Sequence, residues 1–97
     1  MILNKAQKKF LKGLSHDLRA VVMVGKDGIN APLINNLNQA LKAHELVKVS
    51  MLNTSPLSVN EAAIELATAS KSEVVSTVGR VIVLFRQSEK KLIQLPK

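Results

Sequence analysis

The segment Gly25-Lys26-Asp27-Gly28 is the part of the sequence whose residue types and spacing best suit contact with a ligand. Glycine adopts positive φ angles and lacks the Cβ that would keep a ligand away from the backbone. An apolar run over residues 21–24 precedes the segment, and a helical pattern over residues 30–44 follows it. A helix start offers N–H groups and partial positive charge, and Lys26 adds a full charge, so the segment is predicted to bind a phosphate.

Two interpretations of this GxxG loop, residues 25–28, are open. Two glycines before a helix often form only a turn. A G-x-x-G loop that clamps the nucleic-acid backbone is also how KH domains hold single-stranded RNA. In the second interpretation the Asp27 carboxylate should point away from the phosphate, because the two negative charges would repel each other.

The positive charge of the chain is concentrated at its two ends. The net charge is +7, from 14 basic and 7 acidic residues. Residues 1–28 and residues 71–97 each carry six basic and two acidic residues, whereas residues 29–70 carry two basic and three acidic ones. If the two ends meet in the fold, they form one positive face, which would favour a polyanion through counterion release.

The first predicted helix concentrates this charge on one side. Its apolar side carries Leu3, Ala6, Phe10 and Leu14, and its other side carries Lys5, Lys8, Lys9 and Lys12. Like charges at these spacings repel one another and destabilise the helix slightly. A solvated lysine surface and a nucleic-acid contact are both compatible with this pattern. A membrane-surface helix is the least favoured interpretation, because the apolar side is short and better suited to the core.

The elements that must position these residues follow the order α-β-α-β-α-β-β. The first helix is predicted to begin after Asn4, with Gln7 as its capping-box partner, and to end over Gly13 and residues 15–17. The later elements are a strand over residues 20–24, a helix N-capped by Asn30 that ends at His44, a strand over residues 46–52, a helix opened by a Ser58–Glu61 capping box, and strands over residues 73–78 and 81–85.

This order predicts an α/β fold for a single domain over residues 1–97. The expected architecture is a two-layer sandwich with helices packed on a mixed four-stranded sheet. The continuously apolar first strand is predicted to be a buried central strand, and Gly79-Arg80 is predicted to form a type II′ hairpin. Phe10 and Phe85 are the two aromatic residues, and both are predicted to lie in the core.

Several classes of function have no support in the sequence. The chain has no cysteine, no apolar run long enough to cross a bilayer, no P-loop and no nucleophile elbow, and its carboxylates show no metal-binding pattern. His16 and His44 are expected to close helix ends. No enzyme, cofactor or metal is therefore predicted. With so few rings for base stacking, any RNA would be held by its phosphates and its shape. The lack of cysteine fits the cytoplasm.

Four segments together resemble one known family: residues 9–14 (KFLKGL), 18–29 (LRAVVMVGKDGI), 44–49 (HELVKV) and 78–86 (VGRVIVLFR). The chain resembles the CRM domain, the chloroplast RNA splicing and ribosome maturation domain, in its stand-alone bacterial YhbY-type form. The resemblance covers essentially the whole chain. It departs from the family at Ala20, where proline is usual, at Ser50, where a lysine is common, and at Phe85, which replaces a tyrosine.

The resemblance implies an RNA-binding module that associates with precursors of the large ribosomal subunit and assists their assembly. It also implies a fold similar to the C-terminal domain of translation initiation factor three. The expected partner is ribosomal RNA in the pre-50S particle, bound by a monomer in the cytoplasm, without a small-molecule substrate or a membrane. The alternative is a basic module that binds an acidic protein. The residues predicted to contact RNA are Lys5, Lys8, Lys9, Lys12, Arg19, Gly25, Lys26, Asp27, Gly28, Arg80 and Arg86.

Overall fold

The computed structural model describes residues 2–97, and these form three helices and four strands. The helices are α1 (Lys5–Ser15), α2 (Ala31–His44) and α3 (Val59–Ser70). The strands are β1 (Ala20–Val24), β2 (Leu46–Met51), β3 (Glu73–Val78) and β4 (Val81–Phe85). The order α-β-α-β-α-β-β confirms the prediction. Gly13 lies inside α1, which continues to Ser15 before it ends.

Side-chain caps fix where the helices begin. Asn4 Oδ1 accepts a hydrogen bond from the backbone N–H of Gln7 at 2.8 Å, and Gln7 Oε1 accepts one from the N–H of Asn4 at 3.0 Å. Ser58 and Glu61 form the same reciprocal pair at the start of α3, at 3.1 and 3.2 Å. These bonds satisfy N–H groups that a helix start leaves unpaired, so the predicted capping boxes are confirmed.

The sheet is mixed and has the strand order β1-β2-β4-β3. β1 runs parallel to β2, and the other two pairs are antiparallel. The prediction that β1 is a buried central strand is wrong, because β1 lies at the edge. Val21 and Met23 are each 59% exposed, whereas Val22 and Val24 are buried. A continuous apolar run looks the same in a strand buried on both faces and in an edge strand with one face uncovered.

The helices cover the two faces of the sheet unequally. Alternate strand residues point to opposite faces, and they belong to two separate clusters. The first face packs against α2 and α3, and the cluster between them includes Val22, Val24, Leu37, Leu41, Val47, Val49, Met51, Ala62, Ala63, Leu66, Ile82 and Leu84. The second face packs against α1 and the segment after β4, and the cluster between them includes Leu3, Leu11, Leu46, Val75, Val83 and Phe85. α1 thus adds a third layer to the predicted two.

The two phenylalanines differ sharply in burial. Phe85 is fully buried, which confirms its predicted place in the core. Phe10 is 39% exposed, so its predicted core position is wrong. The buried residues of α1 are Leu11 and Ser15, which lie one turn apart. This short helix therefore contacts the sheet along a narrow line, and Phe10 lies at the border of the contact.

A buried carboxylate anchors the C-terminal segment, residues 86–97. Glu45 has no solvent exposure and a positive φ of 66°. Its carboxylate accepts hydrogen bonds from the N–H groups of Ser88 at 2.8 Å, Leu92 at 3.1 Å and Ile93 at 2.8 Å, and from the Ser88 hydroxyl. Burial raises the pKa of Glu45, but the bonds from Ser88, Ile93 and Leu92 outweigh burial and lower its pKa below the usual 4.5.

Candidate nucleic-acid interface

The GxxG loop is a tight turn whose geometry requires glycine at its last position. The N–H of Gly28 donates to the carbonyl of Gly25 at 3.0 Å. Gly28 is buried and has a φ of +66°, a region that side chains with a Cβ rarely adopt. Lys26 and Asp27 are exposed at the tip of the turn. The loop therefore presents one cation and one carboxylate to solvent.

Packing explains why glycine occupies position 25 as well. A Cβ at this position would lie 3.3 Å from Cδ1 of Leu52, which is tight. The chain after β2 follows this loop closely, since the N–H of Leu52 donates to the carbonyl of Val24 at 2.9 Å. Both glycines are thus explained by the turn and its packing. A role in RNA binding would use the exposed tip of the loop and its backbone.

The start of α2 has fewer free N–H groups than the sequence suggested. Asn30 Oδ1 accepts the N–H of Leu33 at 3.0 Å, and the Asn30 carbonyl accepts the N–H of Ile34 at 3.0 Å. Pro32 has no N–H. At most the N–H of Ala31 is left among residues 31–34. The predicted phosphate cradle at this helix start is therefore corrected: an anion here would depend mainly on Lys26 and the loop backbone.

The β3–β4 hairpin lies at the same end of the sheet as the GxxG loop. The N–H of Met51 donates to the carbonyl of Arg80 at 2.8 Å, and the next N–H, of Leu52, bonds to Val24 as described. Gly79 has a φ of +58°, as the first turn position of a type II′ hairpin requires. Arg80 is exposed. The fold thus places Arg80 and the GxxG loop on either side of the end of β2.

The four lysines of α1 are all exposed, as is Arg19 in the segment that joins α1 to β1. α1 contains no acidic residue. The two basic ends of the chain meet, because Leu3 and Leu11 pack in one cluster with Ile93 and Leu95, and Gln7 Nε2 donates to the carbonyl of Pro96 at 3.0 Å. The cations of α1 therefore lie on the second face of the sheet.

Arg86 departs from the prediction. Its Nη1 donates to Asn38 Oδ1 at 2.9 Å and to the carbonyl of Ser70 at 2.7 Å, and its Nη2 donates to the carbonyl of Asn38 at 3.1 Å. The side chain is partly buried. Arg86 links α2 to the end of α3, where a cation suits the unpaired carbonyls. We assign it a structural role and remove it from the candidate interface.

A group of residues on the second face was missed by reasoning from the sequence. Lys48 and Ser76 lie next to His16, below the end of α1. Nζ of Lys48 donates to the carbonyl of Leu18 at 3.2 Å. The alternation of polar and apolar residues in β2 was a signal that one face of this strand is less buried. It could not show which other residues share that face.

Comparisons with known proteins now identify the family. A model of the CRS1/YhbY (CRM) domain matches residues 3–86. The chain belongs to the CRM domain family. A probable RNA-binding protein of Bacillus subtilis is 41% identical over 96 residues, covering 98% of this chain and 100% of the relative. An RNA-binding protein of Haemophilus influenzae is 39% identical over 99 residues, covering 98% and 96%.

A solved structure confirms the fold of this CRM domain. The solution structure of a hypothetical protein from Staphylococcus aureus is similar with a TM-score of 0.82 and 36% sequence identity. It covers 98% of this chain and 100% of that protein. Within residues 2–97, no helix is long and apolar enough to span a membrane. Nor do histidine and acidic side chains in that range gather in a group of three or more that could hold a metal ion.

Proposed function

We propose that this CRM domain binds RNA through the exposed cations of α1, together with Arg19, Lys26 and Arg80. The lysine side of α1 carries the proposal. Lys5, Lys8, Lys9 and Lys12 are exposed on a helix that has no acidic residue to neutralise them. Phosphates that approach the lysines relieve this repulsion, and the lysines release the counterions condensed on the RNA. Relatives named as RNA-binding proteins support this choice of polyanion.

The mode of binding follows from the side chains available. Lysine is a flexible point charge that suits a phosphate but does not distinguish one base from another. The GxxG loop contributes Lys26 at an exposed tip, and Arg80 lies across the end of β2. Binding should therefore depend strongly on salt and weakly on base sequence. The protein acts as a binding module, not as an enzyme, and needs no cofactor or metal.

The RNA is proposed to be ribosomal RNA in precursors of the large subunit, in the cytoplasm. The resemblance to stand-alone CRM proteins supports this assignment, as does the basic character of a chain with a net charge of +7. On such a particle the domain would bind the RNA backbone and favour one folded arrangement of it. That is how a small protein without catalytic groups could assist assembly.

A sedimentation experiment tests the particle assignment. Lysate of cells that produce the tagged protein is separated on a sucrose gradient at low salt, with and without ribonuclease. The protein should sediment with precursors of the large subunit and leave them after ribonuclease treatment. A Lys8→Glu/Lys12→Glu variant should stay at the top of the gradient. Sedimentation with no ribosomal particle, or with a complex that resists ribonuclease, would favour an acidic protein partner instead.

A further inference from the structure

A cleft of about 290 Å³ lies on the second face of the sheet, below the end of α1. Its walls include Lys12 and His16 from the end of α1 and the following turn, and Lys48 from β2. Its floor includes Ser76 and Val78 from β3 and Val81 from β4. The cleft exists because α1 covers only part of this face.

The strand register explains the apolar floor. Val78 pairs with Val81, and Ser76 pairs with Val83, which in turn pairs with Lys48. Paired residues point to the same face, so these side chains form one continuous surface. Val78 is 58% exposed. The strand of Val78 also packs against core residues, so this exposed valine is held in place. Such an apolar surface suits a flat apolar ligand group.

The Ser76 hydroxyl is a polar group without a partner in the floor of the cleft. Its oxygen is buried, and it forms no hydrogen bond within residues 2–97. A buried hydroxyl without a bond costs free energy, and a ligand group that bonds to it removes this cost. No bond holds the present χ1 rotamer of Ser76. A change of this rotamer on ligand binding therefore breaks no hydrogen bond within residues 2–97.

The walls of the cleft supply two lysine ammonium groups and the imidazole ring of His16. Lys12 and His16 are exposed, and Lys48 is half-buried. Lys48 donates one hydrogen bond to Leu18, which leaves two of its three N–H groups for a ligand. Lysine ammonium groups suit a phosphate, and the His16 imidazole can stack on a base.

We propose that this cleft binds a single nucleotide unit of the RNA. The base lies on the valine floor beside His16, and the Ser76 hydroxyl bonds to the base edge or the ribose. The phosphate lies on Lys12 and Lys48. The volume is near the lower limit of small-molecule pockets, which favours one nucleotide over two. This inference rests on the proposed RNA-binding function. It adds a contact that recognises the base or the ribose in addition to the charge of the phosphate.

A cleft-filling variant tests the proposal without a change of charge. In Ser76→Leu the larger side chain should occupy the cleft. Thr77→Leu is the matched control, since Thr77 is exposed and adjacent strand residues point to opposite faces. Affinity for single-stranded RNA should fall about tenfold in Ser76→Leu, as expected for the loss of one base contact. Thr77→Leu should bind like the unchanged protein, with the same salt slope, whereas Ser76→Leu should lose no more of the slope than the one phosphate contact at Lys12 and Lys48.

A titration of the unchanged protein keeps the proposal testable even if Ser76→Leu does not fold. Methyl NMR signals of Val78, Val81 and Val83 are followed while uridine 5′-monophosphate, uridine or inorganic phosphate is added. The nucleotide should shift these signals at lower concentration than uridine or phosphate alone. Equal shifts with inorganic phosphate would indicate an adventitious anion site and overturn the proposal, as would no valine shift with the nucleotide.

Different outcomes test the nucleotide cleft and the RNA-binding function. Parental RNA affinity in a folded Ser76→Leu protein would overturn the nucleotide cleft and leave the phosphate-binding surface of α1 intact. An unchanged protein that binds no RNA would overturn the proposed function, and the role of the cleft in RNA binding with it. Steep salt dependence combined with a selective loss in Ser76→Leu supports both.

Discussion

The two faces of the sheet differ in how completely they are covered. α2 and α3 close the first face, where the apolar strand residues belong to one buried cluster. α1 and the C-terminal segment close only part of the second face. The uncovered part leaves Val21, Met23 and Val78 exposed, and Val78 lines one cleft together with the cations Lys12 and Lys48. An apolar residue on the first face contributes to stability, whereas one on the open part of the second face is available to a partner.

The same contrast separates the cations. Arg86 donates three hydrogen bonds that connect α2 and α3, so its charge serves the fold. The lysines of α1 lie over the second face and are exposed. The position of a basic residue relative to the two faces therefore indicates its role better than its charge does.

The largest expected effect is the loss of stability in Phe85→Ala, which is compared with Phe10→Ala. Phe85→Ala should lower the free energy of unfolding by about 3–5 kcal/mol, because it leaves a cavity under α1. Phe10→Ala should cost only about 1 kcal/mol, since the ring is already partly in solvent. Urea unfolding of both variants measures the difference. Equal losses would show that the border of α1 is as tightly packed as its centre.

The glycines should respond in opposite directions. Gly28→Ala should destabilise the protein by about 1–2 kcal/mol, because its φ of +66° places a Cβ in strain. Gly13→Ala should stabilise it by about 0.5–1 kcal/mol, since Gly13 lies within α1 and a Cβ there would meet no atom within 4 Å. Thermal melting of the two variants provides the measurement. Stabilisation in both would contradict the turn geometry of the GxxG loop.

A smaller effect is the pH dependence of stability that Glu45 contributes, since burial offsets part of its hydrogen bonding. Its pKa is lowered on folding, so the folded state holds fewer protons than the unfolded state near and below pH 4.5. Its contribution should be complete above that pH and disappear as the pH falls through the lowered pKa. Urea unfolding between pH 3 and pH 7 should show this loss in the unchanged protein and a weaker one in Glu45→Gln. If the unchanged protein and Glu45→Gln lose stability equally at low pH, that loss arises from other carboxylates.

Local signals predicted the elements well. Capping boxes such as Ser58–Glu61 and turn residues such as Gly79 depend on neighbours in sequence, and the structure confirms both. The strands at 73–78 and 81–85 have the predicted bounds. These features form from contacts within a few residues, so a single sequence contains enough information to place them.

Features that depend on distant contacts were not predictable. The edge position of β1 follows from strand order, and the exposure of Phe10 follows from how α1 meets the sheet. The roles of Arg86 and Glu45 depend on partners more than 40 residues away, such as Asn38 and Ser88. Charge alone made Arg86 look like an RNA contact. For the candidate site, the sequence indicated the exposed cations but not the cleft beside Lys48.

The central claim is that RNA binds the second face of the sheet through phosphates. RNA affinity as a function of salt tests it most directly, in the unchanged protein, in Lys8→Glu/Lys12→Glu, and in Lys42→Glu/Lys71→Glu as a control. The control changes the net charge equally, but its exposed lysines belong to the ends of the helices that cover the first face.

With about six phosphate contacts, the log–log slope of the unchanged protein should be about −4 to −5. The α1 variant should lose at least about tenfold in affinity and show a shallower slope, while stability stays within about 0.5 kcal/mol. The control should lose much less. Affinity that does not depend on salt, or equal losses in the two variants, would contradict the claim.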